Sequence, residues 1–187
     1  MSINSRGRLD APVGRVSRAL IYRILDANFN RSREGLRVCE EVARFVLNDK
    51  SLTRQLKTCR HRVSDVWKKM LRQDAAILRS RDVRADVGRG PSAIEDRRED
   101  FRSLFAANSQ RAKESLRALE ETVKLVRPEH AKTFKKARFR VYAIEKRTLP
   151  KLEALCDYLS RISRRPVTGR TGTRSRARRR GRRTASR

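Results

Sequence analysis

Cysteine, histidine and glycine are scarce in this chain, and each shortage excludes something. Three cysteines among 187 residues, none at CxxC spacing, exclude a disulfide scaffold. With only two histidines, His61 and His130, and no partner at ligand spacing, no zinc-type motif can be built. Neither GxxxxGK[ST] nor GxGxxG occurs among the eight glycines, so no glycine-rich phosphate loop is evident. Aromatic residues are 5% of the chain, and no apolar run approaches the roughly 20 residues that a membrane span requires. The first fifteen residues, MSINSRGRLDAPVGR, lack an apolar core, so no secretory signal is expected and the reading is cytoplasmic.

What is abundant is positive charge. Forty-nine Lys and Arg against 21 Asp and Glu give a formal charge of +28, which points to polyanions or phosphorylated small molecules. The charge is uneven. Residues 164–187 hold 11 Arg, no Lys and no acid; subtracting those 11 from +28 leaves +17 on residues 1–163. The terminal 24 residues have little to bury and no aromatic residue to stack on a base, so they read as a disordered basic arm with non-specific polyanion affinity. Residues 1–15 read as a shorter flexible arm, leaving one folded domain over about 16–163.

Within that domain apolar residues recur at helical spacing and no sustained period-two alternation appears, so the class is all-α, a bundle of about five helices. Leu20, Ile21, Ile24, Leu25, Leu36, Cys39, Val42, Ala43 and Val46 form the first stripe, with Ser17 as a candidate N-cap and Asn48-Asp49 as the stop. A second helix runs from near Ser51 through Met70, and a third from about Asp100 to Val126. Pro128 and Pro150 suit the first turns of a fourth and a fifth. Residues 79–100 read as a long loop.

The chain repeats itself. ANFNRSREGLRVCEEVARFV (27–46) aligns without gaps on ANSQRAKESLRALEETVKLV (107–126), with nine of 20 positions identical. Further on, Arg60-His61-Arg62-Val63 matches Arg138-Phe139-Arg140-Val141. Two helix pairs, about 17–75 and 100–149, related by a pseudo-twofold axis, are therefore expected. A helical wheel centred near Val46 and Cys39 puts Asn28 in the middle of the apolar wedge and Arg31 about 60° from it, and Asn108 and Arg111 likewise. Such inward residues make either a structural network or a phosphate-gripping site at the pseudo-axis. Glu40, Glu41 and Arg44 read as a solvated face or as i,i+4 support along the helix. In the loop, Asp82 and Asp86 are carboxylates available to Mg²⁺, and Gly88 and Gly90 permit backbone approach to a phosphate; the other reading, a plain surface loop, is the better supported by the residues alone.

Three segments together, RILDANFNRSREGLRVCEEVARFVLNDKSLTRQLKTCRHRV, RDVRADVG, and AANSQRAKESLRALEETVKLV followed by ARFRVYAIEK, resemble the helical hydroxymethylpyrimidine-phosphate kinase domain usually fused in front of thiamine-phosphate synthase. The resemblance covers about residues 17–149. It implies thiamine biosynthesis, hydroxymethylpyrimidine phosphate as substrate, ATP as phosphate donor and Mg²⁺, with a thiamine-phosphate synthase as a possible partner. The 24 Arg-rich residues do not supply the synthase barrel, so no synthase activity is expected from this chain. The substrate phosphate is already a nucleophile, so the reaction asks chiefly for cations that hold two phosphates in line. From the doubled motif the candidates are Arg31, Arg111, Arg60 and Arg138 as catalytic cations. Asn28, Asn108, Glu34, Glu114 and Gly88 are candidates for holding substrate or nucleotide, and Asp86 for Mg²⁺. The alternatives are a basic helical RNA- or DNA-binding protein, or a non-catalytic pyrimidine-binding partner of the synthase.

Overall fold

The computed structural model describes residues 13–80 and 98–163, and among them every regular element is helical. Helix α1 (Val13–Glu41) continues into a π-helical turn (Val42–Val46); α2 is Lys50–Gln73, α3 the single turn Ala76–Arg79, α4 Phe101–Thr122 and α5 Ala131–Ser163. Two 3₁₀ turns, Val123–Leu125 and Pro128–His130, join α4 to α5.

Local chemistry sets the breaks. After the π turn, Asn48 takes a left-handed conformation (φ 48°), which asparagine tolerates better than most residues. Asp49 then caps α2, its side chain accepting from the Leu52 N–H at 2.9 Å. Asp100 and Ser103 form a reciprocal capping box that starts α4. Two expected boundaries differ. Helix α1 begins at Val13, so Ser17 lies inside it, as does part of the segment expected as a flexible arm. Pro150 starts no fifth helix but lies exposed within the unbroken α5. Proline removes one backbone hydrogen bond there, and a helix anchored on both sides by buried Ile144, Thr148 and Leu152 carries that loss.

The two hairpins, α1–α2 and α4–α5, pack so that each long helix touches two others: α1 on α4 and α2, α5 on α4 and α2. Repeat-equivalent positions fill one core: Leu25 and Phe105, Leu36 and Leu116, Cys39 and Leu119, Leu56 and Phe134, Val63 and Val141. In the first hairpin the Tyr22 hydroxyl donates to Asp74 at 2.7 Å and Phe29 stacks on Trp67 at 4.3 Å. The N-terminal part of α1 therefore faces the C-terminal part of α2.

Candidate functional site

The two copies of the motif meet. Cys39 Sγ lies 3.8 Å from the Phe105 carbonyl oxygen, while a Cβ on Gly35 would lie 2.7 Å from the Asn108 carbonyl oxygen and 3.4 Å from Ala112 Cβ. Numbering falls along α1 as it rises along α4, so the helices run antiparallel and equivalent positions coincide near Ser32 and Ala112. Gly35 is what allows this approach, since any side chain would strike backbone.

Arg31 and Arg111 immediately precede Ser32 and Ala112, and both are exposed. They do not point into the bundle, as the wheel expected. The wheel was turned by roughly 70° for two physical reasons. Leu20 and Ile24, counted as core, are 55% and 47% exposed, and the π turn, with more residues per turn, sets Val46 behind the register of an α-helix. The buried stripe instead follows Tyr22, Leu25, Phe29, Ser32, Leu36 and Cys39. Asn28 and Asn108 are half-buried, and their side-chain amides donate to the Ile24 and Leu104 carbonyls, each at 2.9 Å. Glu34 and Glu114 are exposed, and Glu114 accepts from Gln110 at 2.6 Å. The pseudo-axis is closed by helix contact on the inside, and Arg31, Glu34, Arg111 and Glu114 are exposed on the outside.

The inward charges are others. Glu40 and Glu120 are 4% and 5% exposed. Glu40 accepts from Arg60 Nε at 2.9 Å, and Glu120 from Arg138 at 3.2 Å (Nε) and 2.9 Å (a terminal nitrogen). Glu40 thus belongs to a structural pair and not to a solvated face. Arg37 and Arg117 close each cluster from the rim, reaching Glu40 and Glu41 in one half and Glu120 and Glu121 in the other. Hydrogen bonding to Glu120 raises the pKa of Arg138, keeping it charged. Arg60 therefore clamps α2 to α1 and Arg138 clamps α5 to α4, each within its own hairpin, and the signal for this was present: Glu40 and Glu120 are identical in the repeat, as are their two arginines.

The hairpins diverge one turn away. Where the first has Phe29, Arg33 and Trp67, the second has Ser109, Lys113 and Glu145. Ser109 Oγ donates to Glu145 at 2.6 Å and Lys113 Nζ reaches both carboxylate oxygens at 2.6 and 2.8 Å. In the first, the Arg33 guanidinium lies 5.3 Å from the Phe29 ring centre. Two equivalent grooves follow, of about 440 Å³ beside Arg33, Arg60, His61 and Trp67, and about 500 Å³ beside Lys113, Glu114, Arg138 and Tyr142.

Asp86 and Gly88 lie outside the described residues. Among the described residues no cluster of three His, Cys, Asp or Glu side chains is placed to hold a metal ion, and no helix is long and apolar enough to cross a membrane. His61 is exposed, and Cys39 and Cys59 are core residues.

The sequence model of the ThiD2 family matches residues 23–147. Thiamine-phosphate synthase of Rhodopirellula baltica is 42% identical over 151 residues, 80% of this chain and 39% of its own. Those of Nostoc sp. and Synechocystis sp. are 40% and 43% identical over 127 and 126 residues, covering 67% of this chain and 34% and 35% of theirs. The chain thus spans about two fifths or less of the length of these relatives. No solved structure matches it. With the family model covering both hairpins and the doubled motif that joins them, the chain belongs to the ThiD2 family, a family of thiamine biosynthesis.

Proposed function

We propose that the chain phosphorylates hydroxymethylpyrimidine phosphate to the diphosphate, with ATP as donor and Mg²⁺ as the accompanying ion. The observation that carries this reading is the meeting of the two motif copies, which sets exposed Arg31 and Arg111 beside one crossing point. A phosphate oxygen of the substrate attacks the γ-phosphorus of ATP, the bond to the β-bridging oxygen breaks, and ADP leaves. No general base is needed, because the nucleophile is already an anion. What the protein supplies is positive charge that overcomes phosphate–phosphate repulsion and fixes the line of attack.

Guanidinium groups suit that task through paired N–H donors. Arg31 and Arg111 grip the two phosphate groups, and Asn28 and Asn108 flank them with amide groups. Mg²⁺ bound mainly by nucleotide phosphates needs one or two carboxylates from protein, and Glu34 and Glu114 on the same face fit that role. Such an ion would supply positive charge that offsets the repulsion between the phosphates. The diphosphate then passes to a thiamine-phosphate synthase in the cytoplasm.

Purified protein incubated with ATP, Mg²⁺ and hydroxymethylpyrimidine phosphate is expected to form the diphosphate, read by ion-exchange chromatography. Arg31→Ala and Arg111→Ala each lower turnover by about a hundredfold or more, with melting temperature unchanged because both side chains are exposed. Full turnover in both variants refutes the crossing-point site. Stabilisation by substrate with no turnover supports instead a pyrimidine-binding partner of the synthase.

A further inference from the structure

At the other edge of the bundle, where α2 meets α5, a groove of about 1250 Å³ runs along the outer face of α5. Its walls carry Arg62, Lys132, Lys135, Lys136, Arg140 and Lys146, and none of these has an ion-pair partner among the described residues. The only carboxylate on the lining, Glu120, is committed to Arg117 and Arg138. The positive charge here is uncompensated, and nothing in the phosphoryl-transfer reading uses it.

Length and chemistry narrow the ligand. The α5 cations recur at i, i+3, i+4, i+8 and i+14 from Lys132, a stripe of roughly 21 Å. The stripe runs well beyond the reach of a triphosphate, so its cations can be engaged together only by a longer polyanion. In its midst the ring of Phe139 is 55% exposed, edge-on to Tyr142 at 6.0 Å and open to solvent beside the cations. The Arg138 guanidinium lies 4.9 Å from that ring's centre. A row of cations tracking a backbone, with an exposed ring for an unstacked base, is the arrangement that holds single strands without reading their sequence. We propose that this groove binds single-stranded nucleic acid, several nucleotides lying along α5 with one base on Phe139.

The test is fluorescence anisotropy on the full chain with a labelled 12-nucleotide oligouridine, over a salt series, with inorganic polyphosphate as competitor. It uses no ATP and no pyrimidine, so its failure and that of the kinase reading are distinct. The variant Lys135→Glu/Lys136→Glu/Arg140→Glu is expected to bind at least tenfold more weakly and to flatten the log–log salt slope by about 2. Phe139→Ala is expected to weaken oligouridine binding about tenfold while leaving competition by polyphosphate unchanged. All four side chains are exposed, so melting temperatures stay near the wild type. Wild-type affinity in the triple variant overturns the proposal and leaves the binding to segment 164–187. Equal effects of Phe139→Ala on oligouridine and polyphosphate overturn it in favour of a site for charge alone.

Discussion

Cys59 touches its own counterpart. Its Sγ lies 3.6 Å from the carbonyl oxygen of Ala137, the residue that occupies the same place in the second half of the repeat. A residue and its equivalent meet only on a symmetry axis, so the pseudo-twofold passes between α2 and α5 here and between α1 and α4 near Ser32 and Ala112. The bundle is two similar hairpins closed face to face.

Gly35 is the tightest point of that closure. Alanine there gains helix propensity of up to about 1 kcal/mol, but its Cβ would sit 2.7 Å from a backbone oxygen that has no room to yield. The steric cost of about 1–3 kcal/mol wins, and Gly35→Ala is expected to lower the melting temperature by several degrees. A melting temperature at or above the wild type shows that the two helices do not approach this closely.

The Glu40–Arg60 pair is mostly out of water, with side-chain exposures of 5% and 16%. Glu40→Gln leaves a guanidinium without its counter-charge and is expected to cost about 2–3 kcal/mol in urea denaturation. Replacing both partners by apolar residues of similar size, Glu40→Leu with Arg60→Met, recovers most of that loss. The same cycle at Glu120 and Arg138 gives the same pattern. Additive losses in the double variant show that the two residues do not act as a pair.

The cysteines differ in reactivity. Burial pushes the Cys39 thiol far above its ordinary range and the Cys59 thiol up to about 11. Thiolate is the reactive form, so both stay protonated and shielded at pH 8. Folded protein is expected to show one promptly reacting thiol with a disulfide reagent, Cys156, and three in denaturant. Prompt reaction of a second thiol contradicts the packing of Cys39 or Cys59.

Asp49 ties the start of α2 to α5. A hydrogen bond from Lys151 (2.7 Å), with the Leu52 N–H, holds its carboxyl below the usual range. A depressed folded-state pKa stabilises the fold above the ordinary aspartate value of about 4 and loses that contribution as pH falls through the lower folded value. Asp49→Asn, which keeps a capping group but no charge, is therefore expected to show a shallower loss of stability below about pH 4. Thermal melts across pH check it, and an unchanged acid profile shows that neither Lys151 nor the Leu52 N–H favours the charged carboxyl.

Fold class and pairing of halves were legible in the sequence, because helical periodicity and a gapless repeat are local signals. The direction in which α1 presents its arginines was not. Exposed Leu20 and Ile24 look like core residues to a wheel, and the π turn at Val42–Val46 breaks the 100° step without any glycine or proline to mark it. Proline misled in the opposite sense, since Pro150 signals a break that the anchored α5 does not make. The buried pairs were readable in principle. Identical Glu40 and Glu120 beside identical Arg60 and Arg138 state a contact repeated in both halves, but a Glu-Glu-x-x-Arg or -Lys run looks like any solvated helix face until the partner helix is in place.

The way the helices share their contacts shapes how the chain reaches its native state. Helix α1 packs more extensively on α4, some 80 residues away, than on its neighbour α2. A first hairpin emerging alone from the ribosome has only the smaller part of its apolar surface to cover. The face of α1 that packs on α4 is covered only once α4 is in place, so the finished core depends on a contact between distant parts of the sequence. The molecule commits to its structure late, as a whole.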